Sequence, residues 1–184
     1  LSGVNTYTGA TTINTGTLIA GNAAALGANT AGTTVAAGAT LDVGGQNLGT
    51  EVVTISGTGV GGNGAIVNSG VDQINALGRI VLAANSTIGG SSRWDLRNST
   101  PTLNMAGLTL TQTSTNYLPF AAATVSNPGH IVVNQGELNL STSTNLAGTS
   151  ANTITVNNGG RLGMYQSSSA HAWTLNLNTG STLR

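Results

Sequence analysis

The 184-residue chain carries five Arg, no Lys and five Asp or Glu, so its formal net charge is zero and only 5% of its residues are charged, against roughly 25% in ordinary domains. Without clustered positive charge the chain is excluded as a nucleic-acid binder or a polybasic membrane-surface binder. Hydrophobic residues make up 39% but aromatics only 3%, which points to a narrow interior of Val, Ile, Leu and Ala.

In chain order, the first element is residues 12–18, in which Thr12 and Ile13 lead through Asn14, Thr15 and Gly16 to Leu18. Residues 34–41 repeat the pattern around Val35, Gly38 and Leu41, with Val43 alternating beyond. Val53 and Ile55 alternate in residues 51–56, and strands are predicted at 64–68 and 79–83. Residues 71–78 could form one helical turn, a reading that their strand-rich surroundings disfavour. Residues 103–112 read as two short strands broken at Gly107. Residues 113–129, with Pro119 and Pro128, depart from the repeat and are expected to form a loop excursion on one face. The repeat returns around Val133, Gly136 and Leu138, again around Val156, Gly159 and Leu162, and last around Leu177, Gly180 and Leu183.

These recurrences set the architecture. Gly16 and Gly38 lie 22 residues apart, Gly136 and Gly159 23, and Gly159 and Gly180 21. Alternating apolar residues place one strand face inward, and a Gly between two short runs permits a turn through positive φ. Two or three strands plus turns fill 20–24 residues, which is one coil of a solenoid. The expected fold is all-β: a single-stranded right-handed parallel β-helix of about eight coils, one domain over residues 1–184. An antiparallel sandwich also has short strands with frequent turns, but it does not call for a fixed 21–23-residue recurrence.

Residues 5–18 carry a recognisable motif: Asn5, Thr6, Tyr7, Thr8, Gly9, Thr11, Thr12, Ile13, Gly16, Thr17 and Leu18. The run resembles the passenger-associated transport repeat of bacterial autotransporters, and the likeness extends over residues 1–98. The resemblance implies a β-helical passenger exported to a bacterial cell surface, with the motif residues acting structurally. The motif does not specify an activity, and neither a cofactor nor enzymatic activity is expected of the chain. The sequence shows no signal peptide, no run of 18 apolar residues that could cross a membrane as a helix, and no Cys. It also lacks an initiator Met, and the chain is read as a piece of a longer protein.

Candidate chemistry is sparse. Gly57, Gly59 and Gly62 match a G-x-G-x-x-G spacing, but residues 64–68 read as a strand, whereas a phosphate site needs a helix there. Gly61 to Gly64 echo a calcium-binding nonapeptide without its Asp, since Ile66 stands in that place. Asp42, Glu51, Asp72, Asp95 and Glu137 are scattered rather than clustered as an enzyme cleft requires. Arg93, Asp95 and Arg97 alternate and are expected to form an ion pair on an outward surface. His130 and His171 lack metal-type partners, so no metal is expected. Tyr117 and Tyr165 are the candidates for stacking on a glycan.

The expected function is that of an extracellular structural stalk. Its candidate partners are further copies of itself, stacked end to end through unpaired strand edges, or a host or matrix surface. No nucleic-acid binding and no membrane insertion are expected. The alternative is an adhesin that binds glycans or proteins through side loops.

Overall fold

The computed structural model describes residues 1–141, 144–165 and 172–184. The chain winds through eight coils. Coil one holds β1 (Thr11–Ile13) and β2 (Gly16–Ile19), and coil two holds β3 (Thr33–Val35) and β4 (Ala39–Asp42). Coil three holds β5 (Val52–Gly57), β6 (Ile66–Val67) and β7 (Gln73–Leu77), and coil four holds β8 (Arg79–Ile88) and β9 (Trp94–Leu96). Coil five holds β10 (Thr102–Asn104), β11 (Thr109–Gln112) and β12 (Tyr117–Ala121). Coil six holds β13 (Thr124–Ser126), β14 (His130–Val133) and β15 (Gly136–Ser141). Coil seven holds β16 (Asn145–Leu146), β17 (Thr153–Val156) and β18 (Gly160–Gly163), and coil eight holds β19 (Thr174–Leu177) and β20 (Thr182–Leu183).

Every strand pairing among the described residues is parallel. The fold is a parallel β-solenoid with three faces. The first stacks β1, β3, β5, the start of β8, β10, β13 and β16. The second stacks β2, β4, β6, the end of β8, β11, β14, β17 and β19. The third is a separate six-stranded sheet of β7, β9, β12, β15, β18 and β20. Because β8 belongs to both of the first two faces, they join into one 14-stranded sheet.

Strand alternation turns the registers into apolar ladders. On the first face Ile13, Val35, Ile55 and Leu82 are stacked neighbours. On the third, Leu118, Leu138, Leu162 and Leu183 are. The interior they share is aliphatic, with Trp94 and Phe120 as its large fully buried aromatics. Each such side chain contributes about 1.5–3 kcal/mol on burial. Trp94 also satisfies its indole N–H by donating to the Gly89 carbonyl at 2.8 Å.

Two sequence expectations are corrected. Residues 113–129 are not a loop excursion, because β12 and β13 lie within them and pair with both neighbouring coils. Pro119 was the misleading signal. Its missing N–H is tolerated in β12, and it stacks on Asn139 of the next coil. The excursion instead leaves the wall between β5 and β6, where the register shifts after Ile55 and a single 3₁₀ turn, Val60–Gly62, stands out. Gly59 makes that turn possible. Its φ is 75°, and a Cβ there would overlap the Gly64 carbonyl. Within residues 71–78, Gln73–Leu77 form β7, in keeping with the disfavoured status of a helical turn there.

The second correction concerns the repeat, whose recurring glycine the sequence suggests as a single column. Its glycines Gly16, Gly38, Gly136, Gly159 and Gly180 all have positive φ, as the turn requires. They do not form one column, however. In coils one and two the strand–Gly–strand unit makes the corner between the first and second faces; in coils six to eight it makes the corner between the second and third.

Candidate functional site

The third sheet presents the most chemically varied outer surface. Inward positions on β9, β12, β15 and β18 are Trp94, Leu96, Leu118, Phe120, Leu138, Leu140 and Leu162, so alternation turns the residues between them outward. Those residues, with their flanks, hold four of the five arginines and two of the five carboxylates: Arg93, Arg97, Arg161, Arg184, Asp95 and Glu137.

Asp95 is not at an exposed surface pair. Its side chain is wholly covered by two arginines. Arg93 donates from Nε at 2.7 Å and from Nη2 at 2.7 Å to the two carboxylate oxygens, a bidentate fork. Arg97 approaches from the other side, Nε to Oδ2 at 3.2 Å. The hydrogen bond to Asp95 holds the Arg93 guanidinium firmly protonated. The same guanidinium lies over the Tyr117 ring, 4.9 Å from its centroid, a cation–π contact. Burial pushes the Tyr117 phenol above its ordinary range. Arg93 opposes that shift and Glu137 adds to it.

Tyr117 sits on β12, not in an irregular loop, and stacks on Glu137 of the next coil. Tyr165 follows β18 and is 66% exposed. The two tyrosines named from the sequence line one shallow cavity of about 280 Å³, with Glu137, Asn139, Met164 and Arg184 around them. Gly163 gives the cavity its depth, since a Cβ there would press on the Asn139 amide and come within 2.8 Å of Glu137 Oε1. Arg184 reaches Glu137 Oε2 at 3.5 Å. Asn139 is 4% exposed and leans on Glu137 through Nδ2 at 3.4 Å. Its Oδ1 is buried and has no hydrogen-bond partner among the described residues. Sequence reasoning missed Glu137, Asn139, Gly163 and Arg184 as neighbours of the tyrosines. The signal was the one-coil offset that stacks Tyr117 on Glu137 and Asn139 on Gly163.

The other candidates lie elsewhere. A larger groove of about 570 Å³ runs over the corner between the second and third faces, lined by Asn63, Asn68, Ser91, Thr115 and Asn134 among others, with no charged or aromatic side chain in it. The glycines at 57–62 form the 3₁₀ excursion and lead into β6, so no helix N-terminus faces them. His130 is exposed and shares a hydrogen bond with Thr153 at 2.9 Å; His171 lies outside the described residues. No group of three or more His, Cys, Asp or Glu converges among the described residues.

The motif residues at the start of the chain form the outermost coil. Thr11, Thr12 and Ile13 make β1, and Gly16, Thr17 and Leu18 lie in β2. Asn5 donates to the Ala25 carbonyl at 2.7 Å. The Tyr7 hydroxyl meets Thr11 Oγ1 at 2.8 Å, and its ring lies against Gly27, where a Cβ would come within 2.7 Å. Thr6, Thr8 and Gly9 are exposed. Asn5 and Tyr7 thus tie residues 1–7 to the coil beside them.

No family model, no curated protein and no solved structure matches the chain.

Proposed function

We propose that the chain is a structural segment of an exported bacterial surface protein: a stiff extracellular stalk that performs no chemistry. The observation that carries this reading is the parallel pairing of every described strand with the coil before or after it, from Thr11 in β1 to Leu183 in β20. Each coil is built on the one before, so folding nucleates once and propagates along the axis. Such a chain folds coil by coil as it emerges from a membrane pore, which suits the transport-repeat resemblance of residues 5–18. The absence of Cys leaves no thiol to trap during passage. The test is to place the chain as passenger ahead of an outer-membrane translocator barrel and digest intact cells with protease. The reading expects the chain on the cell surface as a resistant fragment. Retention inside the outer membrane would contradict it.

A second reading, an adhesin, is favoured by one observation: Tyr117 and Tyr165 share a cavity with the charged pair Glu137 and Arg184. A sugar ring stacks on a tyrosine face while its hydroxyls donate to the Glu137 carboxylate. A glycan array probes this directly. Any glycan bound there loses about tenfold in affinity with Tyr165→Ala and is excluded by Gly163→Ala, which fills the floor. Binding that survives both substitutions removes the cavity from consideration.

A further inference from the structure

We propose that the corner between the second and third faces is a binding groove for a linear, uncharged polysaccharide lying along the solenoid axis. The groove is separate from the tyrosine cavity and lies in the middle of the rod, over coils three to six.

Its shape follows from two features of the chain. One wall is the excursion before β6, with Gly62 and Asn63 at its lip. The opposite wall is the corner of coils five and six, with Thr115, Asn134 and Gln135. Between them coil four turns on Gly89 and Gly90, so no side chain rises there. The two glycines are required. A Cβ on Gly89 would lie 2.0 Å from the Asn63 carbonyl oxygen, and one on Gly90 would lie 2.5 Å from the Asn68 nitrogen. The resulting trough holds about 570 Å³, a volume typical of ligand sites. Crossing four coils makes it about 14 Å long.

The floor is fixed before any ligand arrives. Asn68 is fully buried and uses its whole amide. Its Oδ1 accepts from Gly45 N at 2.9 Å and Gly70 N at 3.0 Å, and its Nδ2 donates to the Val71 and Arg93 carbonyls, each at 2.8 Å. Ser91 N donates to the Asn68 carbonyl at 3.2 Å. Such a floor lowers the ordering cost of binding. The lip is different. Asn63, Ser91, Thr115 and Gln135 are exposed, with side chains free of hydrogen bonds to the other described residues. Asn134 spends Oδ1 on Asn157 at 2.7 Å and keeps its Nδ2 hydrogens for a ligand.

These groups select the ligand class. Amides and hydroxyls offer donors and acceptors together, which complements a sugar hydroxyl that is both. The lining holds no cation for a sulfated or uronic chain and no carboxylate for a cationic one. Asp42, the partner of Ser69 in the lining, is buried and already accepts from Ser69 and from Gly44 N. A peptide needs an open strand edge or an apolar pocket. Here β6, β8, β11 and β14 are paired on both sides, and Val67 is the one apolar side chain in the lining. Polar groups recur at each coil, a spacing close to the advance of one pyranose in an extended chain. Without an aromatic platform, affinity accumulates with the number of sugars engaged.

The test is titration of the purified chain with cello-, manno- and malto-oligosaccharides from monomer to hexamer, with heparin as the charged control. At least one neutral series is expected to bind, with affinity rising to about the trimer and then levelling as the groove fills, and with no dependence on added salt. Asn63→Ala and Gln135→Ala should each weaken that binding roughly fivefold, the worth of one hydrogen bond, at an unchanged urea midpoint. Tyr165→Ala should leave it unaltered. Binding to heparin alone, or to no oligosaccharide, would overturn the proposal. So would binding that survives Asn63→Ala and Gln135→Ala but is lost with Tyr165→Ala, a result that leaves the tyrosine cavity standing as the site.

Discussion

Asp95 and Glu51 are two buried carboxylates with opposite solutions. Asp95 is covered by a pair of guanidiniums that carry its counter-charge. Its replacement by Ala leaves Arg93 and Arg97 facing each other without it. Since both arginines reach solvent, the expected loss is about 2 kcal/mol, measurable by urea unfolding. Glu51 is 2% exposed and accepts one hydrogen bond, from Thr33 Oγ1 at 2.7 Å. Burial holds its carboxyl above the ordinary range, against the opposing pull of that hydrogen bond. A raised folded-state value means the neutral form stabilises the fold below the ordinary carboxyl range, and that contribution is lost as pH rises through the raised value. Glu51→Gln keeps an acceptor for Thr33 without the charge. It should match the natural chain in acid and exceed it in stability at neutral pH, with the gap opening as pH climbs above the ordinary carboxyl value. A gap that instead widened toward acid would contradict the assignment.

At the scale of elements, the ladders explain what could be read in advance. Positions such as Ile13 and Val35, or Ile154 and Leu175, announce themselves because strand alternation and coil period coincide in them. β12 was hidden because Pro119 and the polar run before it imitate a loop, while its inward Leu118 and Phe120 are ordinary ladder members. The switch of the Gly corner from one edge of the rod to another was hidden too, since identical local sequence serves either corner. The cavity was half legible: aromatic rarity drew attention to Tyr117 and Tyr165, but their neighbours come from coils whose offset only the register fixes. One ladder contains an oddity. In the column of Ile66, Ile88, Gln112 and Val133, Gln112 is 1% exposed. Its Nε2 donates to the Ser114 carbonyl at 3.2 Å, but its Oε1 has no partner among the described residues. Gln112→Leu should therefore stabilise the chain by about 1 kcal/mol, read as a higher urea midpoint at unchanged slope.

As a whole molecule the chain substitutes regularity for the usual sources of stability: it has few charges, few aromatics and no disulfide. Each coil contacts mainly its neighbours, so length is set by coil number alone. Thr17, Thr111 and Asn176 occupy one outward column of the second face, in coils one, five and eight. Spin labels on cysteines placed pairwise at these sites in the dispersed chain measure the stacking directly. Thr17 to Thr111 should read about 19 Å and Thr17 to Asn176 about 34 Å, a rise of about 4.8 Å per coil. Distances that do not grow with coil number would contradict the stacked rod on which the proposed function depends.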